Sequence, residues 1–294
     1  MQNAIAPLFV PGHKERLRDK ALTLGLTALL VDLEDAVPGA EKEAARRGAR
    51  ALLAQAPGVC QVRINPLQIA RGFGTGCGRE DLAAVVRSGI AGIVAPKIDT
   101  VDALRAVDAA LVEAERSAGL AAHSVPLGVT IETALGSANV HGIAGARLTR
   151  PMRLLFGMGD LTTDLGVDWT RGEEEGALPR AMIALASRAA MLAKPFDTVF
   201  TDVADDEGLR ASTRRGKSLG YGGKAAIHPK QVAAILAVYR PSQAEQAWAR
   251  RVVEAATERA GRGDGAFLLE NRMIDDPIVA RAQDLLAFAA QFGD

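Results

Sequence analysis

At 294 residues the chain is long enough for a large core, and the length suits one domain of alternating strands and helices. Its 35 Lys plus Arg balance its 35 Asp plus Glu, so no global field favours nucleic acid or an anionic membrane, and a small-molecule partner is expected. The two cysteines, Cys60 and Cys77, match neither a paired metal motif nor a disulfide framework, and the apolar stretch in MQNAIAPLFVPGHKER is too brief for a signal peptide or a membrane span. These features predict a soluble protein of the reducing cytoplasm.

Eight short apolar runs follow in chain order: PLFVPG (7–12), ALLVDLED (28–35), CQVRIN (60–65), GIVAPKI (92–98), PLGVTIET (126–133), RLLFGMGD (153–160), DTVFTDV (197–203) and GKAAIHP (223–229). Near-continuous apolar strands of this kind suit a parallel sheet buried on both faces. Between them lie segments with Ala, Leu, Arg and Glu at helical spacing, among them EKEAARRGARALLAQ, TVDALRAVDAALVEAERSAG and EEGALPRAMIALASRAAMLA. Eight strand–helix units predict an α/β fold of the TIM (β/α)8 type over 1–240; six strands with two misread helices would favour a doubly wound sheet instead.

Beyond the eighth unit, SQAEQAWARRVVEAATERA reads as a long amphipathic helix. A glycine-rich break, GRGDG, then precedes AFLLENRMIDDPIVARAQDLLAFAAQF. Residues 241–294 are expected to form a helical extension, serving as an extra helix, a lid or a subunit contact.

In a TIM barrel the chemistry sits at the carboxyl ends of the strands. There the runs place Glu34 and Asp35 (second), Arg63 and Asn65 (third), Lys97 (fourth), Glu132 (fifth), Asp160 (sixth), Asp202 (seventh) and His228 (eighth). Glu132 and Asp160 fall on adjacent strands and form an oxygen-donor pair suited to Mg2+, which keeps its other positions for water and substrate; the alternative is that they cap the helices that follow. Glycines in GMGD and TALG leave room for a ligand near the backbone. Arg63 ends a buried strand and needs an anion, either a substrate oxygen or a structural partner, Glu34 or Asp35. The loop PGHKERLRDK could bind phosphates at a helix start or present a solvated face. Asp164, four residues past Asp160, reads as a turn or helix-cap residue.

LFVPG, LVDLEDAV, VRIN, APKI, TIETALG, FGMGDLTTDLG, GGKAAIHPKQV and MIDDP occur in the order seen in the citrate lyase beta-subunit and malyl-CoA lyase family of HpcH/HpaI aldolase-like barrels, which this chain resembles over nearly its whole length. The resemblance implies that Glu132 and Asp160 bind Mg2+, with Gly159 beside them at the substrate. It also implies that Arg63 contacts oxo-acid or acyl oxygens, and that Phe9, Lys14, Lys20, Ile227 and His228 line the substrate or CoA site. By the same resemblance Asp275 enters a neighbouring subunit's site from a lid as catalytic acid, in a homo-oligomer, a trimer or hexamer. Where relatives often carry Arg this chain has Lys14, where citrate-lyase-like members often carry Glu it has Gly159, and Ile5 and Ala6 replace a frequent Arg-Ser pair.

The implied activity is Mg2+-dependent carbon–carbon cleavage of a 3-hydroxyacyl thioester of the citryl-, malyl- or citramalyl-CoA type, held on CoA or an acyl carrier. Asp35 or a metal-bound hydroxide is the candidate base. An aldolase acting on a free hydroxy-oxo acid and a non-catalytic CoA-ester-binding subunit are the rival readings.

Overall fold

The computed structural model describes residues 5–68, 76–259 and 266–292. The ends of the chain and the GRGDG break at 261–265 lie outside them. Two compact units divide the chain, Met1–Leu236 and Ala237–Asp294. No helix among the described residues is long and apolar enough to cross a membrane.

In the first unit, eight parallel strands run in sequential order: β1 (Leu8–Pro11), β2 (Leu29–Asp32), β3 (Cys60–Arg63), β4 (Gly92–Ala95), β5 (Leu127–Ile131), β6 (Met152–Phe156), β7 (Phe196–Asp197) and β8 (Gly223–Lys224). The sheet closes on itself. Lys224 donates its amide to Ile5 O at 2.9 Å, Ala226 to Pro7 O at 2.9 Å, and Phe9 to Ala226 O at 2.8 Å, with a parallel bridge between Leu8 and Ala226. The fold is therefore the TIM-type barrel that the eight apolar runs predict, with no open edge.

The helices α1 (Glu15–Thr23), α2 (Lys42–Gln55), α3 (Gly78–Val85), α4 (Val101–Ser117), α5 (Ala134–Ala144), α6 (Met158–Leu165), α7 (Ala177–Ala189), α8 (Asp206–Ser218) and α9 (Pro229–Tyr239) alternate with the strands, two of them between β6 and β7. In α4, Leu104, Val107 and Leu111 are buried at i, i+3, i+7, and Thr100 caps the helix by accepting the Ala103 amide at 3.1 Å.

Strand register decides what fills the barrel. Leu30, Val94, Leu155 and Phe196 form one buried cluster, with Phe9 against it. Gly128 belongs to the same interior: a Cβ there would meet Leu155 Cδ1 at 2.9 Å and Val94 Cγ2 at 3.0 Å, so its missing side chain makes room for both.

The two-residue strands β7 and β8 gain a second tie from charges buried behind them. Arg180 spans Asp197 Oδ1 (2.9 Å) and Glu173 Oε2 (2.8 Å), while Lys224 Nζ lies 3.3 Å from Asp197 Oδ2 and donates to Ser212 Oγ at 2.8 Å. Burial pushes the Lys224 ammonium below its ordinary pKa in spite of Asp197 and Glu173.

The second unit holds α10 (Gln243–Arg259), a hairpin of β9 (Ala266–Leu269) and β10 (Arg272–Asp275), and α11 (Asp276–Ala289). Ala249, Val252, Ile274 and Ala282 form its core, with Trp248, Phe267 and Ile278 around them. The extension expected as helical thus also contains a hairpin, which turns on Glu270 (φ 48°) and Asn271 (φ 62°). Both central residues are left-handed, as a tight two-residue turn demands, but the usual glycine signal is missing.

Candidate active site

The ladders stop earlier than the apolar runs, so several residues expected as strand ends stand in the loops just beyond. Asp160 is in the first turn of α6, because β6 ends at Phe156 and a helix starts after Gly157. Asp202 lies five residues past the end of β7 and is exposed, away from any ladder. His228 immediately precedes α9; its Nδ1 accepts the Lys230 amide at 3.2 Å. Glu34, Asn65, Lys97 and Glu132 each follow their strands by one or two residues. Paired strands splay into their loops at the rim, and that is where the polar groups gather.

Arg63 is the last residue of β3, and its side chain is largely buried. Its Nε and Nη2 donate to Asp32 Oδ1 and Oδ2, both at 2.8 Å, while Nη1 lies 2.9 Å from Glu34 Oε2 and 3.5 Å from Asp35 Oδ2. The Phe9 ring supports the guanidinium from 5.0 Å. Burial opposes the charge on Arg63, but Asp32 and Glu34 outweigh it and hold the group firmly protonated. Burial likewise pushes the Asp32 carboxyl up, and Arg63 overcomes this to leave it below its ordinary range. The bidentate partner is therefore Asp32, which the sequence reasoning passed over in favour of Glu34 and Asp35.

Lys97 faces the same acids. Its Nζ lies 2.6 Å from Glu34 Oε1, 3.4 Å from Asp160 Oδ2 and 3.5 Å from Asp35 Oδ2, and its backbone amide donates to Glu132 Oε1 at 2.7 Å. The residue sits at φ 52°, a left-handed conformation that a lysine seldom adopts. Burial disfavours its ammonium, yet Glu132 and Glu34 raise its pKa above the ordinary value. For Glu34, burial and the neighbouring Asp35 push the carboxyl up to about 7 against the pull of Arg63 and Lys97. Such a group can hold or release a proton near neutrality.

Glu132 is buried directly after β5, and burial, Glu34 and Asp160 raise its pKa well above the ordinary carboxylate value. Gly157 makes room for it: a Cβ at 157 would lie 2.5 Å from Glu132 Oε2 and 2.6 Å from its Cβ. Asp160 is more open, with 29% of its side chain exposed.

Among the described residues, no three His, Cys, Asp or Glu side chains are grouped to cage a metal. The donors are instead two carboxylates, one buried and one at the mouth. They belong to a cluster whose carboxyls (Asp32, Glu34, Asp35, Glu132, Asp160) outnumber its cations (Arg63, Lys97). That surplus of negative charge, and an all-oxygen donor pair of which Asp160 is partly exposed, fit a hard divalent cation that retains water and substrate ligands. Glu132 and Asp160 are the residues that could hold it.

The remaining predicted positions are distributed over several elements. Asp35 is half exposed beside Arg63 and Lys97. Gly159 is half-buried in the first turn of α6, 3.5 Å from Trp169 as measured from an ideal Cβ. Lys14 and Lys20 are exposed at the start and in the last turn of α1. Ile227 is exposed, its amide held by Gln231 Oε1 at 2.9 Å. Asp275, in the second unit, ends β10 and caps α11 by accepting the Ile278 amide at 3.2 Å.

Fold and site together define a TIM-type α/β barrel with an acidic, oxygen-donor centre at the carboxyl rim of its strands. The chain belongs to the HpcH/HpaI aldolase/citrate lyase family, whose model matches residues 6–229. It is 37% identical over 290 residues to a citrate lyase subunit beta-like protein of Deinococcus radiodurans, covering 96% of each chain. It is 34% identical over 283 residues to a (3S)-malyl-CoA thioesterase of Cereibacter sphaeroides, covering 96% of this chain and 93% of that one. Among solved structures, the protein CitE of Mycobacterium tuberculosis in complex with magnesium, acetoacetate and coenzyme A superposes with a TM-score of 0.75 at 28% identity, over 98% of this chain and 99% of that one.

Proposed function

We propose that this protein is a Mg2+-dependent carbon–carbon lyase that cleaves a 3-hydroxyacyl-CoA thioester bearing a carboxylate, of the citryl-, malyl- or citramalyl-CoA type, to an acyl-CoA and a 2-oxo acid. The observation that carries the reading is the pairing of buried Glu132 with rim-exposed Asp160 beside two fixed cations, Arg63 and Lys97. The relative crystallised with magnesium, acetoacetate and coenzyme A supports both the metal and the thioester. Mg2+, held by Glu132 and Asp160, would supply Lewis-acid polarisation of the substrate's hydroxyl and carboxylate oxygens.

The chain's own groups do the rest. Asp35, with Glu34 next to it, takes the hydroxyl proton. As the C–C bond breaks, its electron pair moves onto the thioester fragment as an enolate, and the former carbinol becomes the oxo group. Arg63, locked by Asp32 and Phe9, presents fixed positive charge to the enolate oxygen, which gains negative charge. Such a preorganised donor is worth about 10²–10³ in rate. Asp275, from the second unit of a neighbouring copy in a homo-oligomer, returns a proton to the enolate carbon. Phe9, Lys14, Lys20, Gly159, Ile227 and His228 would contact the substrate and its CoA handle.

A second reading, thioester hydrolysis, is favoured by the 34% identity to a (3S)-malyl-CoA thioesterase. The test is turnover of malyl-, citramalyl- and citryl-CoA by the purified protein with Mg2+ or with EDTA, scoring the 2-oxo acid and free thiol separately. Oxo acid without thiol, lost in EDTA and in Glu132→Gln and Asp160→Asn, is the expected result. Thiol without oxo acid would establish hydrolysis, and turnover untouched by both substitutions would overturn the metal assignment.

A further inference from the structure

We infer that Asp164 is a positioning residue that sets the spacing of the two metal acids by tying α6 to the first turn of α5, an inference that rests on the Mg2+ reading above. Asp160 and Asp164 are four residues apart on α6 and so share one face of that helix. Asp160 points at Lys97. Asp164 reaches across 30 residues of sequence, and its Oδ2 accepts the Ala134 amide at 2.8 Å. Ala134 opens α5, two residues after Glu132.

The bond is not needed to form α5. That helix has its own cap, Thr133, whose hydroxyl accepts the Gly136 amide at 2.9 Å and donates to Asp99. What the bond adds is a connection where the sheet has ended. The last register pair of β5 and β6 is Ile131 with Phe156, and Gly157 N to Ile131 O at 3.0 Å is the final rung. Past it, Glu132 leaves with one loop and Asp160 with the next helix, and no ladder holds them in step. Glu132 packed into the space at Gly157 is one point of contact between the two segments. Asp164 on Ala134 is the second, one helical turn further on. Lys97 also bridges the two acids, from its amide to Glu132 and from Nζ to Asp160, and the Asp164 tie adds a contact displaced by one helical turn that limits rotation of α6 against the Glu132 loop.

Outer partners that orient metal ligands typically contribute about 10–100-fold in metal affinity. The test is titration of Mn2+ into the metal-stripped protein, followed by electron paramagnetic resonance, for wild type, Glu132→Gln, Asp164→Asn and Asp164→Ala. Hydrogen exchange of the 132–136 segment is read without metal. Wild-type binding that Glu132→Gln abolishes supports the metal reading; no wild-type binding overturns that reading and leaves exchange to decide the tie. Asp164→Ala is expected to bind Mn2+ about tenfold more weakly, to exchange faster at 132–136, and to lose no more than about 2–4 °C in Tm. Asp164→Asn keeps the acceptor oxygen but not the charge, and it is expected to restore most of the affinity. Equal affinity in wild type and Asp164→Ala, or unchanged exchange at 132–136, would overturn the proposal. So would an Asn variant as weak as Ala, which would mean that charge, not the tie, is what matters.

Discussion

Lys97 holds Glu132 through its backbone and Glu34 through its side chain: the amide donates to Glu132 Oε1 at 2.7 Å while Nζ lies 2.6 Å from Glu34 Oε1. One residue thereby places two acids from different strands, and its left-handed backbone at φ 52° aims the amide and the ammonium into the same cluster. Strain of this kind persists where surrounding contacts over-determine it.

Lys97→Met removes the ammonium and leaves Glu34 buried with Arg63 as its remaining cationic partner. Breaking a buried pair from one side costs on the order of 3–5 kcal/mol, because the other charge stays desolvated. Burial, with Asp35 beside it, pushes the Glu34 carboxyl up to about 7, so it can take up a proton and relieve the penalty as pH falls. Urea denaturation should show the variant destabilised at pH 8 and distinctly less so at pH 6. An equal loss at both values would mean that Glu34 does not carry the effect.

Gly157→Ala should disturb Glu132 directly. The new methyl would stand 2.5 Å from Glu132 Oε2 and 3.2 Å from Thr130 Cγ2, and relieving such overlap costs about 1–3 kcal/mol. Gly159→Ala is the matching control for stability, since its methyl meets Trp169 at an ordinary 3.5 Å and should shift stability by less than about 0.5 kcal/mol. Denaturant midpoints of the two variants compare them; a Gly157→Ala protein as stable as Gly159→Ala would contradict the close packing.

The acid limb of stability should depend on Glu115. Its side chain and that of Arg150 are both fully buried, with Arg150 Nη1 2.8 Å from Glu115 Oε1. Burial pushes the Glu115 carboxyl up, but Arg150 and the amides of Val125 and His123 outweigh this and leave it below the ordinary value. A carboxyl lowered in the fold contributes stability that is complete above the unfolded value of about 4.3 and is lost as pH falls through the folded one. Glu115→Gln should therefore be less stable than wild type at pH 7, with the gap narrowing below about pH 4. Urea midpoints between pH 3 and 7 measure it, and a gap constant across that range would exclude the linkage.

Asp32 shows where local pattern stops being informative. It stands in LVDLED, where three acids lie within four residues, and nothing in the run says which one faces the barrel. Register does: Asp32 lies opposite Arg63 across β2 and β3, so their side chains share one face and meet. In the same way the apolar run ending at Asp160 hides a change from strand to helix at Gly157, where β6 loses its partner and α6 begins. The hairpin in the second unit escaped because its turn uses Glu270 and Asn271 in place of glycine.

By itself the sequence determined the number and order of the strand–helix units, because strands buried on both faces are mostly apolar, although the seventh run (197–203) overlaps β7 only at Asp197. It also determined that Glu132 and Asp160 stand near one rim, because parallel strands all end on the same side. Only the tertiary structure decided how the rim's charges pair: Arg63 with Asp32, Lys97 with Glu34 and Glu132, and Asp164 with the first amide of α5. Those pairs join residues that are 30 or more positions apart in the chain, and their contacts depend on register and loop direction, which no stretch of local sequence encodes.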